Sequence, residues 1–506
     1  MLAENPKQEL IFVELLKACA KTKDLFRGAK LHADILRRGL LEKSTYIAST
    51  LISMYAKCGA LAKAQQVLED LPIRDIISWN ALVSGYANQG QAHEAFSCFK
   101  RMQRDGFSPN VVTFTCILKA CGCIRAIDKG KQIHDEIVNR GLLEKNVTLG
   151  NALVDMYVKC GMLAKALEVL EDLPMRNVIS WSTLISGYTQ QGQGSQALGF
   201  FERMQGEGIS PDEVTYTCIL KACGLIGALD KGKQIHDEVT KQGLLEKSLV
   251  LGNSLVDMYV KCGLLMKAQQ VLEELPVRDV ITWSTLIAGY NRQEQGDKAL
   301  GCFQRMQRED LSPNVVTLVC ILNACSITRS IDKGKQIHDN IINRGLLEKH
   351  IGLGNALVDM YAKCGALEKA WRVLEELPAR DVVSWNALIT GYAQLEQAQE
   401  ALECFKQMQW EGLSPNEITF VSILNACGHA EATDTGKQIH EEIIDRGFLK
   451  KNLVLGTALV DMYSKCGAME KARAVFKQLP NKNIVTWNAL ITGYAQLGQA
   501  NVVLDL

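Results

Sequence analysis

From Ile76 the chain sets apolar residues near helical spacing through ISWNALVSGYA and breaks at Asn88-Gln89-Gly90, a helix C-terminal signal. A second amphipathic stretch, QAHEAFSCFKRMQRDG, carries Ala95, Phe99 and Met102 on one face; Gly106 ends it and Ser108-Pro109-Asn110 makes the turn. GNALVDMYVKCG and MLAKALEVLEDLP repeat the plan and are closed by Pro174. The pattern predicts helices in consecutive pairs.

The pairs recur at a fixed step. SWNALVSGY from Ser78 returns as SWSTLISGY from Ser180, TWSTLIAGY from Thr282, SWNALITGY from Ser384 and TWNALITGY from Thr486, so Trp79, Trp181, Trp283, Trp385 and Trp487 lie 102 residues apart. GKQIH keeps the same step from Gly130, Gly232, Gly334 and Gly436. A fixed period marks a solenoid, in which each unit buries its apolar face on its neighbours and the core grows along one axis. Each period holds units of 35, 36 and 31 residues, at 76–110, 111–146 and 147–177. After a leader at 1–8, the single array opens with 9–44 and 45–75. It continues after the first full period with 178–212, 213–248, 249–279, 280–314, 315–350, 351–381, 382–416, 417–452 and 453–483, then a partial unit at 484–506. The closing VVLDL is apolar where a solenoid needs a polar cap, so either sequence is missing there or that end packs against something.

Composition narrows the class. Hydrophobic residues make up 47% of the 506 residues and only 10 prolines occur, which excludes a disordered or collagen-like chain. No apolar run approaches a membrane span. MLAENPKQELIF has neither a signal-peptide plan nor the Arg- and Ser-rich character of a transit peptide. With 56 basic and 56 acidic residues the chain is no polycation, which leaves a local basic stripe open. The 17 cysteines recur with the repeat, as in KACG and KCG, and none forms a CxxC pair. They read as small buried hydrophobes in a reducing compartment, with no metal or other cofactor implied.

The rotation of the three unit lengths, with WNALISGYA-type first helices, LKACG with GKQIH, and GNALVDMYAKCG, resembles the P, L and S motifs of the pentatricopeptide repeat family, PLS subclass, from Glu9 onward. The resemblance implies an all-α, right-handed superhelical solenoid of helix-turn-helix repeats whose first helices line a concave groove. It implies single-stranded RNA as partner, at about one base per P or S repeat. It further implies a mitochondrial or chloroplast location and target-site recognition for C-to-U RNA editing. The deaminase (DYW-type) domain or other editing factors would come from missing sequence or in trans. The HxE and downstream PCxxC of such a deaminase are absent, as are a nucleophile elbow and a Walker loop, so the chain is expected to bind and not to catalyse. Organellar transcript stabilisation or processing, and a protein-interaction scaffold, are the alternatives.

In the family's scheme the fifth and last residues of a unit read the base and the second packs against it. Carried over, the P-type pairs are Asn80 with Asn110, Ser182 with Asp212, Ser284 with Asn314, and Asn386 with Asn416. The S-type pairs are Ser49 with Asp75, Asn151 with Asn177, Asn253 with Asp279, Asn355 with Asp381, and Thr457 with Asn483; Asn488 opens a further pair. Base packing falls to Ile77, Ile179, Ile281, Val383 and Val485. The family's rule then gives 5′-GCnCGnUAnUCnAY-3′ for residues 45–488, with n for unread L units.

The bare residues bear on these roles unequally. Asn, Ser and Thr are mediocre inside helices, yet they fill and vary at the fifth position within a nearly constant frame. Asp or Asn just before a helix is also an ordinary N-cap, and a β-branched stripe is also ordinary core. The L-type fifth residues Val13, Thr115, Thr217, Val319 and Val421 suit spacing and packing. Two lysine ladders, one in YxKCG (Lys57, Lys159, Lys261, Lys363, Lys465) and one in DKGKQ (including Lys129, Lys231 and Lys333), suit phosphate contact, or helix-dipole complementation for the first. The QIH histidines and the tryptophans read as structural.

Overall fold

The computed structural model describes residues 5–42, 44–144, 146–449 and 452–498. Residues 1–4 of the leader, and the end of the partial unit with its VVLDL, lie outside the described residues. Among the described residues there are 29 helices and no strand, and the first helix begins at Asn5, inside the segment read as a leader.

First helices start at Ile76, Val111, Val147 and Val178, and the same rotation runs on to Ile484, consistent with units of 35, 36 and 31 residues. The short unit is made mainly by its second helix. Leu163–Asp172 has 10 residues where Ala92–Arg104 and Ile127–Asn139 have 13, almost one turn less.

The chain forms two compact bodies, Met1–Cys262 and Gly263–Leu506. Within each body, every first helix packs on the first helices before and after it, giving one continuous layer. The second helices form another layer, each set against its own first helix and the next one. The glycine of GKQIH sits at a close approach of second and first helices. A Cβ on Gly130 would lie 2.5 Å from Met156 Sδ, and on Gly334 2.5 Å from Met360 Sδ.

Two repeated polar contacts tie units together. His134 Nδ1 lies 2.9 Å from Tyr157 Oη, and His32, His236, His338 and His440 meet Tyr55, Tyr259, Tyr361 and Tyr463 alike. The histidines therefore join the second helix of an L unit to the first helix of the next S unit. Burial lowers the pKa of His134, His338 and His440, which favours the neutral ring.

The other contact is a clamp on the tryptophans. Trp181, Trp283 and Trp385 are buried, and their Nε1 groups donate to Glu207, Glu309 and Glu411 at 3.1, 3.0 and 2.9 Å. Arg176, Arg278 and Arg380 pair with the same carboxylates. In the first P unit Arg74 pairs with Asp105, one methylene shorter, and the buried Trp79 Nε1 has no partner. Asp105→Glu should supply the missing acceptor and stabilise the array by about 1 kcal/mol. Denaturant unfolding checks this; an unchanged or lower midpoint would show that the longer carboxylate does not reach the indole.

The cysteines behave as small apolar residues. All are free, and burial pushes the thiols of Cys121, Cys223 and Cys427 up to about 12.

Candidate nucleic-acid interface

Each first helix presents its opening turn in the same way. The residue before it is the N-cap, and that residue is the last of the preceding unit. Asp75 accepts from Ser78 N at 2.7 Å, Asn177 from Ser180 N at 3.0 Å and Asn314 from Thr317 N at 2.9 Å. Asn110, Asp212, Asp279, Asp381, Asn416 and Asn483 cap likewise. Capping is thus a real duty of every P- and S-type last residue. It uses one side-chain oxygen and leaves the rest of the group half-buried or exposed.

The fifth residue lies one turn into its own helix, buried or half-buried for every pair except the exposed Asn488. In four of the asparagine pairs the amide reaches the last residue. Asn80 Nδ2 donates to Asn110 Oδ1 at 3.1 Å, Asn151 to Asn177 at 3.3 Å and Asn386 to Asn416 at 3.0 Å. Asn355 Nδ2 donates to both carboxylate oxygens of Asp381, at 3.2 Å each. Residues 26 or 30 apart in the chain therefore meet. Asn253 and Asp279 have one member in each body.

Serine and threonine at this place turn inward. Ser49 donates to Tyr46 O at 3.1 Å, Ser182 to Ile179 O at 3.2 Å, Ser284 to Val280 O at 2.6 Å and Thr457 to Leu453 O at 2.9 Å. Their short side chains leave the space that the amide fills in the other units.

The second residue settles between its two readings as an exposed one. Ile77, Ile179, Ile281, Val383 and Val485 are 55–60% exposed, so they are not core. Val112, Val214, Val316 and Ile418 of the L units are equally open, as are Tyr46, Val250 and Val454 of S units. The sequence reasoning assigned packing to P units alone, although β-branched residues at the same offset marked the others. At one pair these side chains lie on both sides of the readers. An open cleft of about 580 Å³ is lined by Val454 and Val485, with Thr457, Asn483 and Asn488 among its walls. The arrangement offers a planar apolar group a slot between two aliphatic side chains, with polar atoms at its edge.

Among L-type last residues, Ser44, Ser248 and Asn452 also cap the next helix. Ser248 donates to Glu213 and Asn452 to Glu417, carboxylates on the first residue of the same L unit. Asn146 and His350 make no side-chain cap bond.

The two lysine ladders part company. The YxKCG lysines stand on first helices, where Lys159, Lys261, Lys363 and Lys465 pair with Asp155, Asp257, Asp359 and Asp461 at 2.7–2.8 Å. Lys465 lines a cleft of about 780 Å³ together with Ile418, Val421 and Val454. The DKGKQ lysines stand on second helices: Lys129 lies over the Phe96 ring at 4.2 Å, Lys231 over Phe201 at 5.7 Å, and Lys333 beside Phe303. Their register faces the second-helix layer and not the first-helix layer that holds the pairs, which goes against the phosphate-contact reading for this ladder.

Sequence reasoning also missed the third residue of the following unit. Ser78, Thr113, Ser180, Thr215, Thr282, Thr317, Ser384, Thr419 and Thr486 are at most 1% exposed and lie under the pairs. Thr113 Oγ1 donates to Asn80 Oδ1 and Thr419 Oγ1 to Asn386 Oδ1, both at 2.6 Å. The signal was present as a Ser or Thr three residues after each Asp or Asn, the capping-box spacing.

No described helix is long and apolar enough to cross a membrane, and among the described residues no cluster of His, Cys, Asp or Glu could hold a metal.

Comparison with known proteins fits this geometry. The PPR repeat family matches residues 74–123, 176–224, 278–326 and 380–429, and the PPR repeat matches seven further stretches between 46 and 506. A chloroplastic pentatricopeptide repeat-containing protein of Arabidopsis thaliana is 36% identical over 91% of this chain and 74% of its own length. A second chloroplastic relative from that plant is 33% identical over 99% of this chain, which spans 58% of it. A mitochondrial one is 33% identical, over 97% of this chain and 70% of its own. Among solved structures, the pentatricopeptide repeat protein PPR10 in complex with an 18-nt psaJ RNA element superposes with a TM-score of 0.61 at 18% identity, covering 97% of this chain and 78% of that one. That likeness shows the fold. With helix pairs of the right spacing, matches along most of the array and relatives above 30% identity, the chain belongs to the pentatricopeptide repeat family.

Proposed function

We propose that the chain binds single-stranded RNA and reads its sequence through the fifth and last residues of P- and S-type units. Two observations carry this reading: the polar pairs vary from unit to unit beside exposed apolar second residues, and at Thr457–Asn483 the pair lies in a cleft between Val454 and Val485. A core would bury that stripe, and a protein-binding scaffold has no use for one variable polar pair per slot. Successive bases stack between the aliphatic side chains while their edges meet the pair. Asp at the last position accepts only and suits the ring N–H of uracil or guanine; Asn donates and suits the ring acceptor of cytosine or adenine. Ser or Thr at the fifth position leaves room for a purine. Lys159, Lys261, Lys363 and Lys465, each paired with an aspartate on its own first helix, put ammonium groups on the helix layer that carries the pairs, where phosphates would compete with the aspartates for them.

The three-length rotation favours the PLS subclass, and relatives named chloroplastic and mitochondrial favour an organelle. In that setting the role is target-site recognition for C-to-U editing, with the deaminase on a longer protein or a partner. That PPR10 was solved with an RNA element supports RNA as ligand.

Binding to 5′-GCnCGnUAnUCnAY-3′ single strands should exceed binding to the matching duplex and to scrambled strands by at least tenfold at moderate salt. Affinity should fall steeply as salt rises, because phosphate contacts release counterions. Filter binding across a salt series measures both. Equal affinity for duplex and single strand would sink the proposal and leave the scaffold reading.

A further inference from the structure

The buried hydroxyl under each pair divides the asparagine readers into two kinds. Asn80 and Asn386 are followed by Thr113 and Thr419, whose hydroxyls hold Oδ1 at 2.6 Å while Nδ2 bonds the last residue. Asn151 and Asn355 are followed by Ser180 and Ser384. Those hydroxyls turn instead to the backbone, donating to Asn177 O and Asp381 O at 2.8 Å. As a result, Asn151 Oδ1 and Asn355 Oδ1 are buried with no hydrogen-bond partner.

The difference follows residue type. Threonine carries two γ substituents and its χ1 is restricted, whereas serine rotates freely toward the nearest carbonyl. Thr486 occupies the same kind of S-to-P junction as Ser180 and Ser384, yet its hydroxyl meets the fifth residue, Thr457, at 2.8 Å. The junction therefore has room for threonine.

We infer that the third residue of a unit is a positioning residue for the reader one unit upstream, so that specificity rests on three side chains. The inference rests on the RNA-reading function proposed above. With threonine beneath it, the amide is held at both ends and offers the base only its remaining N–H, a donor. With serine beneath it, Oδ1 has no bond to lose, and the amide turns to present either donor or acceptor to the base edge. Cytosine and uracil differ at the ring nitrogen in this sense, acceptor against donor. A threonine-held Asn–Asn pair therefore separates them, and a serine-backed one tolerates both.

The chain contains its own controls, because Asn80–Asn110, Asn386–Asn416 and Asn151–Asn177 have identical readers. Full-chain protein is titrated with single-stranded RNAs of the matched sequence that carry C or U at one facing nucleotide. The C-to-U affinity ratio should be larger opposite Asn386 than opposite Asn151, by about three- to tenfold, the worth of one hydrogen bond. Thr419→Ser should lower the ratio opposite Asn386, and Ser180→Thr should raise it opposite Asn151, with other positions unchanged. A purely structural residue would change overall affinity or the unfolding midpoint and leave both ratios alone; that outcome overturns the inference. If wild-type protein distinguishes no base at either place, the RNA-reading function itself fails. Should either variant unfold early, the wild-type comparison of the two sites still decides.

Discussion

Ser284→Asn should move one nucleotide preference from adenine to cytosine, by about five- to hundredfold, the worth of a good base-edge contact. Ser284 is buried, and its hydroxyl is used up by Val280 O and Thr317 Oγ1, both at 2.6 Å. It therefore contributes space, and Asn314 supplies the donor that suits adenine. The product of the substitution already exists in the chain. Asn386 reaches Asn416 at 3.0 Å over Thr419, and Asn314 and Thr317 stand in the same relation around Ser284. An asparagine there inherits a partner, a hydroxyl beneath it and a helix that tolerates it. Selection from a random RNA pool should show A replaced by C at that place, with the uracil opposite Asn355–Asp381 kept. Uniform weakening on every RNA would mean that position 284 only shapes the helix.

At Asp381 the two duties of a last residue should come apart. Its carboxylate caps the helix through Val383 N and Ser384 N at 2.9 Å and accepts from Asn355 Nδ2 at 3.2 Å. Asp381→Ala removes both roles. It should cost about 0.5–2 kcal/mol of stability and abolish the preference for uracil. Asp381→Asn keeps the capping oxygen, as Asn416 and Asn177 do elsewhere in the array. It should leave the unfolding midpoint nearly in place while reducing the preference for uracil to about equal binding of uracil and cytosine, because Ser384 lies beneath the resulting Asn–Asn pair. Calorimetry and the same pool selection read the two quantities separately. Variants that differ in stability yet both keep the uracil preference would show that the last residue is a cap and nothing more.

The helix pairs were legible because their apolar spacing and punctuation repeat with little change, so each copy confirms the others. The pairing of Asn80 with Asn110 was accessible only through family resemblance, since no local pattern links residues 30 apart. Exposure at Ile77 was not legible. A β-branched residue near a helix start has the same spelling whether it faces a core or a groove, and only the packing of neighbouring first helices decides. The lysines failed for the related reason that a basic ladder carries no mark of the layer it stands on. Thr113 and Ser180 carry the capping-box spacing, which went unread. That one holds an upstream amide and the other releases it depends on a rotamer, which sequence does not encode directly.

Because the residue that ends one unit is the cap of the next helix, the boundaries of the repeat do not coincide with those of the reader. The reader around Asn386 draws on Asn416 and Thr419, so its parts fall in two successive units. A cassette cut at 382 and 416 and transplanted elsewhere would carry its own fifth and last residues but borrow the supporting hydroxyl from its new neighbour. It would also place its own Ser384 beneath the reader before it. Exchangeable parts for building new recognition arrays are better cut after the third residue of a unit, so that each graft from 385 to 419 brings amide, cap and hydroxyl as one piece.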